Sequence, residues 1–239
     1  MSQDLKTIYA RRFAGIEKSR DQVWKVLTRH YFQRWVNPGD VVLDVGAGFC
    51  EFINNIQAKQ KLAVDLNPVT LQKASRDVRV ISQDVTKSWP VPSDSVDVVF
   101  SSNFFEHLSS QEDLLHSLEQ IHRVLRPNGL LLAMGPNIRY CFDLYWDFLD
   151  HLLPLSDRSM AEALELSGFQ TVRVIARFLP YTMKGRLSPH PLMVRLYLAL
   201  PVFWRLMGKQ FLIVARKDAI RSEQPPAIPN INKLEKIVR

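Results

Sequence analysis

Two cysteines, Cys50 and Cys141, are all that the 239 residues contain. They are too few and too far apart for a disulfide framework or a cysteine-rich zinc site, so both are expected as reduced thiols. No apolar run is long enough to span a bilayer, because the most apolar stretch, Leu192 to Trp204, is broken by Arg195 and Pro201. The opening Met1-Ser2-Gln3-Asp4-Leu5-Lys6 lacks the apolar core of a secretory signal, which sets the expectation of a cytoplasmic protein. Internal repeats and low-complexity blocks are absent, so no repeat array is expected. Acid is missing from one whole region: Thr171 to Lys217 holds nine Lys or Arg and no Asp or Glu. That region more than accounts for the formal net charge of +7, and it raises nucleic acid or an anionic membrane as a partner.

What is present, 46% hydrophobic and 23% charged residues, supports the core of one α/β domain with additions. Helical spacing of Val23, Trp24, Val26, Leu27 and Tyr31 predicts a helix from Ser19 to Val36, ended by Asn37-Pro38-Gly39-Asp40. Strand-like runs at 41–45, 61–65, 78–82, 96–101 and 129–134 then alternate with helical runs near 50–58, 68–76 and 111–125. Alternation of this kind predicts a parallel sheet wound with helices on both faces. A helix at 159–167 and strands at 170–178 and 210–216 follow, the last able to lie antiparallel. The fold expected is α/β, a Rossmann-like doubly wound seven-stranded sheet with an antiparallel last strand. Residues 1–40 form an N-terminal helical cap, 41–217 the α/β domain with an apolar-basic insertion at 180–208, and 218–239 a tail.

The densest chemistry lies in Asp44-Val45-Gly46-Ala47-Gly48-Phe49-Cys50, after the apolar Val41-Val42-Leu43. A strand that stops at an acid and turns through two glycines brings bare backbone N–H groups close to a ligand. About 20 residues on, Lys61-Leu62-Ala63-Val64 ends in Asp65, where a carboxylate can grip both hydroxyls of a ribose.

Together with Ala63-Val64-Asp65-Leu66-Asn67-Pro68, Ser82-Gln83-Asp84-Val85, Val96-Asp97-Val98-Val99-Phe100-Ser101-Ser102-Asn103, Phe105-Glu106-His107-Leu108 and Leu125-Arg126-Pro127-Asn128-Gly129-Leu130, these residues resemble the class I S-adenosylmethionine-dependent methyltransferases over roughly residues 8–217. The resemblance makes 41–217 a methyltransferase domain with S-adenosyl-L-methionine as cofactor. It implies that Gly46, Ala47 and Gly48 pass under the methionine part and that Asp44 accepts from the loop or the cofactor ammonium. It puts the ribose on Asp65 beside Leu66, the adenine on Asp84 and Val85, and Asn103 at the active-site end of the fourth strand. Tyr9 and Arg12 resemble an element that closes over the cofactor. Cys50 stands where the family usually has a third glycine, a departure from the pattern.

Methyl transfer to a hydroxyl needs positioning of the acceptor and removal of a proton. His107, after the fourth strand, is the first candidate base, since an imidazole titrates near neutrality; the same Glu-His-Leu would also serve only to fix its loop. His151 is the second. At helical spacing Phe142, Tyr145, Trp146 and Leu149 form one stripe, which predicts that they pack inward and leave Asp147, Asp150 and His151 more exposed. Some quinone-precursor O-methyltransferases hold a metal with Glu-x-x-Glu-His here. This chain has Asn103-Phe104-Phe105-Glu106-His107, without the first carboxylate, and no other cluster of ligand types, so no metal is expected.

The insertion is apolar nearly all round from Leu192 to Met207, with only Arg195 and Arg205 charged. It either packs against the domain or faces an anionic membrane or a lipid-linked substrate. The combination resembles small methyltransferases of bacterial polysaccharide and glycolipid pathways. The implied acceptor is a small-molecule, glycan or lipid-linked hydroxyl, and the implied location extends to the inner face of the membrane. An RNA methyltransferase and a non-catalytic cofactor-binding module are the alternatives. The first is disfavoured by Ser101-Ser102-Asn103-Phe104 where an Asn-Pro-Pro-Tyr type tetrapeptide would stand.

Overall fold

The structure is a computed structural model and describes residues 17–181 and 190–218. The remainder of the helical cap, the segment 182–189 and the tail beyond 218 lie outside the described residues. Seven strands form one sheet: β1 Val41–Val45, β2 Gln60–Val64, β3 Val78–Ile81, β4 Val96–Ser102, β5 Leu125–Pro136, β6 Phe169–Ile175 and β7 Gln210–Lys217. Their order is β3-β2-β1-β4-β5-β7-β6. β7 runs antiparallel to both β5 and β6, while the other pairings are parallel. The sheet expected from the alternation of runs is the one observed.

Alternation along β1 sets the two layers. Leu43 and Val45 face a cluster that includes Leu118 and Ile121 of α3 (Gln111–Val124) and Met160 and Leu164 of α5 (Asp157–Leu166). Val42 faces the opposite cluster, with Trp24 and Leu27 of α1 (Glu17–His30) and Trp204 of α7 (Pro201–Met207). That second layer is built on aromatic rings: Phe52 stacks on Phe100 with centroids 3.8 Å apart, and Phe32 meets Phe100 edge-on at 5.0 Å. Such pairs add to the area they bury, and they fasten the N-terminal cap to the sheet. Ser110 caps α3 by accepting from the Asp113 N–H at 3.1 Å. Glu112 and Asp113 in its first turn and Arg123 in its last complement the helix dipole.

Three expected elements differ. The helix predicted through Val36 stops at His30, and Phe32–Trp35 form a 3-10 turn because Tyr31 and Phe32, both fully buried, turn inward together. No helix forms over 50–58, where the chain runs in successive turns. Cys50 adopts φ 59°, and the amides of Asn54 and Asn55 bond to the carbonyls of Lys73 and Glu51 at 2.8 Å each, so side chains compete with a regular ladder. Finally, β5 begins at Leu125, directly after α3, because Leu125 pairs with Val96 of β4.

Candidate active site

In β1, β2 and β3 the strand ends align: Val45 stands opposite Val64, and Val64 opposite Ile81. The turns after them therefore share one rim of the sheet. On the other side of β1 lies β4, with Asp44 opposite Phe100. The chain thus leaves β1 toward β2 and returns on the opposite side, which opens a crevice at the carboxyl ends where such sheets bind ligands. Ser101 Oγ closes the floor of that crevice by donating to the Val45 carbonyl at 2.9 Å. Gly46 sits above it with φ 69°, and a Cβ there would lie 2.3 Å from ring carbons of Phe104. Backbone conformation and the Phe104 ring both require glycine at this position.

The two glycine-acid motifs are joined directly. The Gly48 N–H donates to Asp65 Oδ2 and the Asn67 N–H to Asp65 Oδ1, each at 2.7 Å. Asn67 in turn caps α2 (Pro68–Lys73), accepting from Val69 N–H at 3.1 Å. Thr70 Oγ donates to the Gly48 carbonyl at 2.9 Å, and Cys50 Sγ lies 3.6 Å from the Thr70 carbonyl. Cys50 fills the place of the missing glycine by taking the same left-handed backbone, with its small side chain fully buried. Burial pushes its thiol up to about 12, so it packs as an apolar group.

Carboxylates crowd this loop. Asp44 is buried at 3% exposure. Burial holds its pKa well above the ordinary carboxylate range, and Asp65 and Glu51 push it further, against a hydrogen bond from the Ile53 backbone. Burial raises Asp65 too, opposed by the N–H groups of Asn67 and Gly48 that donate to it. Glu51 is raised by burial although Arg20 pairs with it at 2.6 Å. Among the described residues no ion pair reaches Asp44 or Asp65. Such a loop favours a ligand that brings positive charge near Asp44 and hydroxyl donors near Asp65, whose oxygens keep a second lone pair each.

Further along the rim, Asp84 Oδ1 accepts from the Thr86 N–H and Oγ, both at 2.9 Å, which makes it the anchor of its own turn. Val85 is buried in the core and its carbonyl accepts from Trp89 Nε1 at 3.2 Å. Leu66 is 46% exposed beside Asp65. Asn103 is exposed at the end of β4 with φ 50°, its amide on Ser102 Oγ at 3.0 Å. Tyr9 and Arg12 lie outside the described residues.

Both candidate histidines come together beyond β4. His107 closes the 3-10 turn Phe105–His107, and the carbonyl of Glu106 accepts from the N–H groups of Leu152 and Leu153 at 2.9 and 3.0 Å. This doubles the segment after α4 (Ile138–Tyr145) back onto the turn. His107 Nδ1 lies 2.7 Å from the Asp150 carbonyl and 3.5 Å from its carboxylate. A carbonyl only accepts, so Nδ1 carries a proton, and in the neutral ring Nε2 is then the acceptor. The His151 ring is 5.0 Å from that of His107 and stacks on Phe148 at 4.9 Å, with Tyr181 Oη 3.3 Å from its Nδ1. Glu106 is 2% exposed, and burial pushes its carboxyl up to about 7 against the pull of His107.

Two expectations are corrected here. Phe142, Trp146 and Leu149 are exposed, at 62%, 54% and 79%, while His151 is buried at 8%. α4 is interrupted at Cys141 (φ −132°, ψ 22°) and ends at Tyr145, so the helical spacing that defined the stripe does not continue to Leu149. Ligand types do cluster beside His107: Glu106, His107 and His151 each bring one donor atom within 4.8 Å of the others. His151 arrives from another segment, which no local spacing reveals. Sequence reasoning also missed Phe104, the Asp150 carbonyl and Tyr181. Of these only Phe104, next to Asn103 at the strand end, carried a positional signal.

Residues 43–133 match the family model described as a methyltransferase domain. No curated protein matches. Among solved structures, a chain of the complex between the Haloferax volcanii Trm112 methyltransferase activator and a methyltransferase is similar at 19% identity. It has a TM-score of 0.64, over 87% of this chain and 96% of that one. A SAM-dependent methyltransferase from Archaeoglobus fulgidus is similar at 21% identity with a TM-score of 0.63, over 86% and 99%. The [4+2]-cyclase SpnF is similar at 18% identity with a TM-score of 0.57, over 84% and 80%. The ligand sought by the loop, cationic near Asp44 and bearing a diol near Asp65, matches the ammonium, sulfonium and ribose of S-adenosylmethionine. Residues 43–133 match a methyltransferase domain and lie in a seven-stranded sheet with the fold of the solved methyltransferases, a match that supports S-adenosylmethionine as the cofactor.

Proposed function

We propose that this chain is an O-methyltransferase acting on a hydroxyl of a sugar, a glycolipid or another small molecule. The observation that carries the reading is His107, its Nδ1 proton fixed by the Asp150 carbonyl at 2.7 Å, standing beyond β4 on the same rim as the glycine loop. When bound, S-adenosylmethionine supplies a methyl group activated by its sulfonium leaving group. Gly46, Ala47 and Gly48 admit the methionine part, Asp44 faces its charge, and Asp65 accepts from the ribose hydroxyls with Leu66 alongside. Asp84 and Val85 border the adenine, and Asn103 the mouth of the crevice. His107 Nε2 takes the acceptor's proton, and the Asp150 carboxylate, 3.5 Å from Nδ1, steadies the imidazolium that results. His151, held by Phe148 and Tyr181, bounds the acceptor side.

Asp65→Ala is expected to weaken S-adenosylhomocysteine binding by roughly ten- to a hundredfold, the loss of hydrogen bonds to a charged group. Titration calorimetry checks this, and an unchanged affinity removes the ribose assignment. Burial and its acidic neighbours raise the pKa of Asp44 in the free protein, and a cationic ligand favours its ionised form. Cofactor affinity should therefore rise with pH through the range where Asp44 ionises, with protons released on binding. Asp44→Asn should flatten that dependence, and a slope that persists in the variant contradicts the pairing.

His107→Gln should lower kcat by roughly a hundredfold or more with little change in S-adenosylhomocysteine affinity, measured on hydroxyl acceptors with labelled methyl donor. Equal turnover would make His107 a structural residue. Dialysis against a chelator should leave the rate unaltered. Loss of activity restored by an added divalent ion would reassign Glu106, His107 and His151 to a metal.

A further inference from the structure

Among the described residues no helix is long and apolar enough to cross a membrane. Two short ones nevertheless expose several large apolar side chains. In α6 (Pro191–Ala199) and α7 one stripe packs inward: Val194, Leu198 and Trp204 are buried. Tyr197 Oη donates to the Phe178 carbonyl at 2.6 Å and Trp204 Nε1 to the Tyr197 carbonyl at 2.7 Å. Arg177 fixes the end of α7, donating to the carbonyls of Gly208 and Leu206 at 2.8 Å each. The pair is thus firmly seated through one side, as the packing alternative in the sequence required. Its outer side is not polar: Leu206 is 68% exposed, Met193 62%, Val202 57% and Leu192 56%. An apolar outer face of this extent marks an interaction surface.

Charge identifies the partner. Where α6 meets α1, His30, Arg34 and Arg195 line a concavity of about 440 Å³ together with Leu192 and Leu196. Arg34 lies 4.3 Å from the Tyr31 ring centroid and donates to the His30 carbonyl at 3.1 Å, so its guanidinium is oriented and still has donors to offer. Among the described residues no carboxylate pairs with Arg34, Arg195 or Arg205. The local field is positive: His30 is shifted down by burial and by Arg195 and Arg29. A surface that combines apolar side chains with arginines that meet no carboxylate among the described residues fits a layer whose hydrocarbon lies under a plane of phosphates. At such a boundary arginines reach the phosphates while leucines enter the acyl region.

We propose that the outer face of α6 and α7, with the Arg34–Arg195 concavity at its edge, docks the protein on an anionic phospholipid bilayer. Short amphipathic surfaces bind such layers by joining apolar insertion to electrostatic attraction, without spanning them. The surface also lies close in sequence to the acceptor side. Tyr181, 3.3 Å from His151, stands at the start of the insertion that carries this surface. The proposal stands on the surface alone and not on the methyl-transfer reading.

Co-sedimentation of the full chain with vesicles of phosphatidylglycerol and phosphatidylcholine tests it, with neutral phosphatidylcholine vesicles as comparison. Binding to the anionic vesicles is expected at low salt, with most of it lost near about 0.5 M salt and little on neutral vesicles. The charge reversals Arg34→Glu and Arg195→Glu together should weaken it at least about twentyfold, about fivefold for each arginine near an anionic surface. The pair Met193→Ser and Leu206→Ser should weaken it comparably at unchanged net charge. Both double variants alter exposed side chains, and an unaltered melting temperature with unaltered S-adenosylhomocysteine affinity confirms that each is folded. Absent binding at low salt, equal binding to neutral vesicles, or binding that survives both double variants overturns the proposal. So does a dimer of the parent chain in sedimentation velocity that the Met193→Ser, Leu206→Ser pair converts to monomer, since the apolar face is then a protein interface.

Discussion

The bonds from the Gly48 and Asn67 amides to the Asp65 carboxylate, each at 2.7 Å, hold the rest of the site in place. They tie the turn after β1 to the turn after β2, so that the glycine loop and Asp65 form one object. Asp65 holds the loop, and a half-buried carboxylate with two backbone donors is fixed in direction. The crowding of Asp44, Glu51 and Asp65 follows from the same geometry. Strand ends in register bring the acids together, and burial raises each of them. A positive charge nearby would favour the ionised form of each.

The acceptor side rests on a second tie. Glu106 receives the Leu152 and Leu153 amides on its carbonyl, and this draws Asp150 onto His107 and His151 beside both. The result is a pair of imidazoles with their backs held, one by a peptide carbonyl and one by a tyrosine hydroxyl and a phenyl ring. The same grouping satisfies the spacing of metal donors.

The sheet was legible because its strands are apolar runs that stop abruptly at acid or glycine, as at Asp44-Val45-Gly46 and Val64-Asp65. The glycine turn was legible for the same reason, even with Cys50 in place of a third glycine, since a small residue at φ 59° does the glycine's conformational work. Local periodicity failed where side chains competed with the backbone. Asn54 and Asn55 undo the helix expected over 50–58, and the break at Cys141 ends the one whose stripe was to bury Phe142, Trp146 and Leu149. The proximity of His151 to Tyr181 and to Glu106 was invisible for a different reason: it joins segments whose contact only the folded sheet creates. The insertion was half legible. Its apolar character was plain, but only the folded pairing of α6 with α1 separates the stripe that packs from the one that faces outward.

The account centres on an adenosyl group held by its sugar at the rim between β1 and β2. A crystal structure of the full chain with S-adenosylhomocysteine measures this most directly. The account predicts both ribose hydroxyls within about 3 Å of the Asp65 carboxylate, the Gly48–Asp65 bond retained, and the homocysteine amine toward Asp44 with its chain passing Gly46 and Gly48. A nucleoside bound elsewhere, with Asp44 and Asp65 still enclosed by protein atoms, would contradict it.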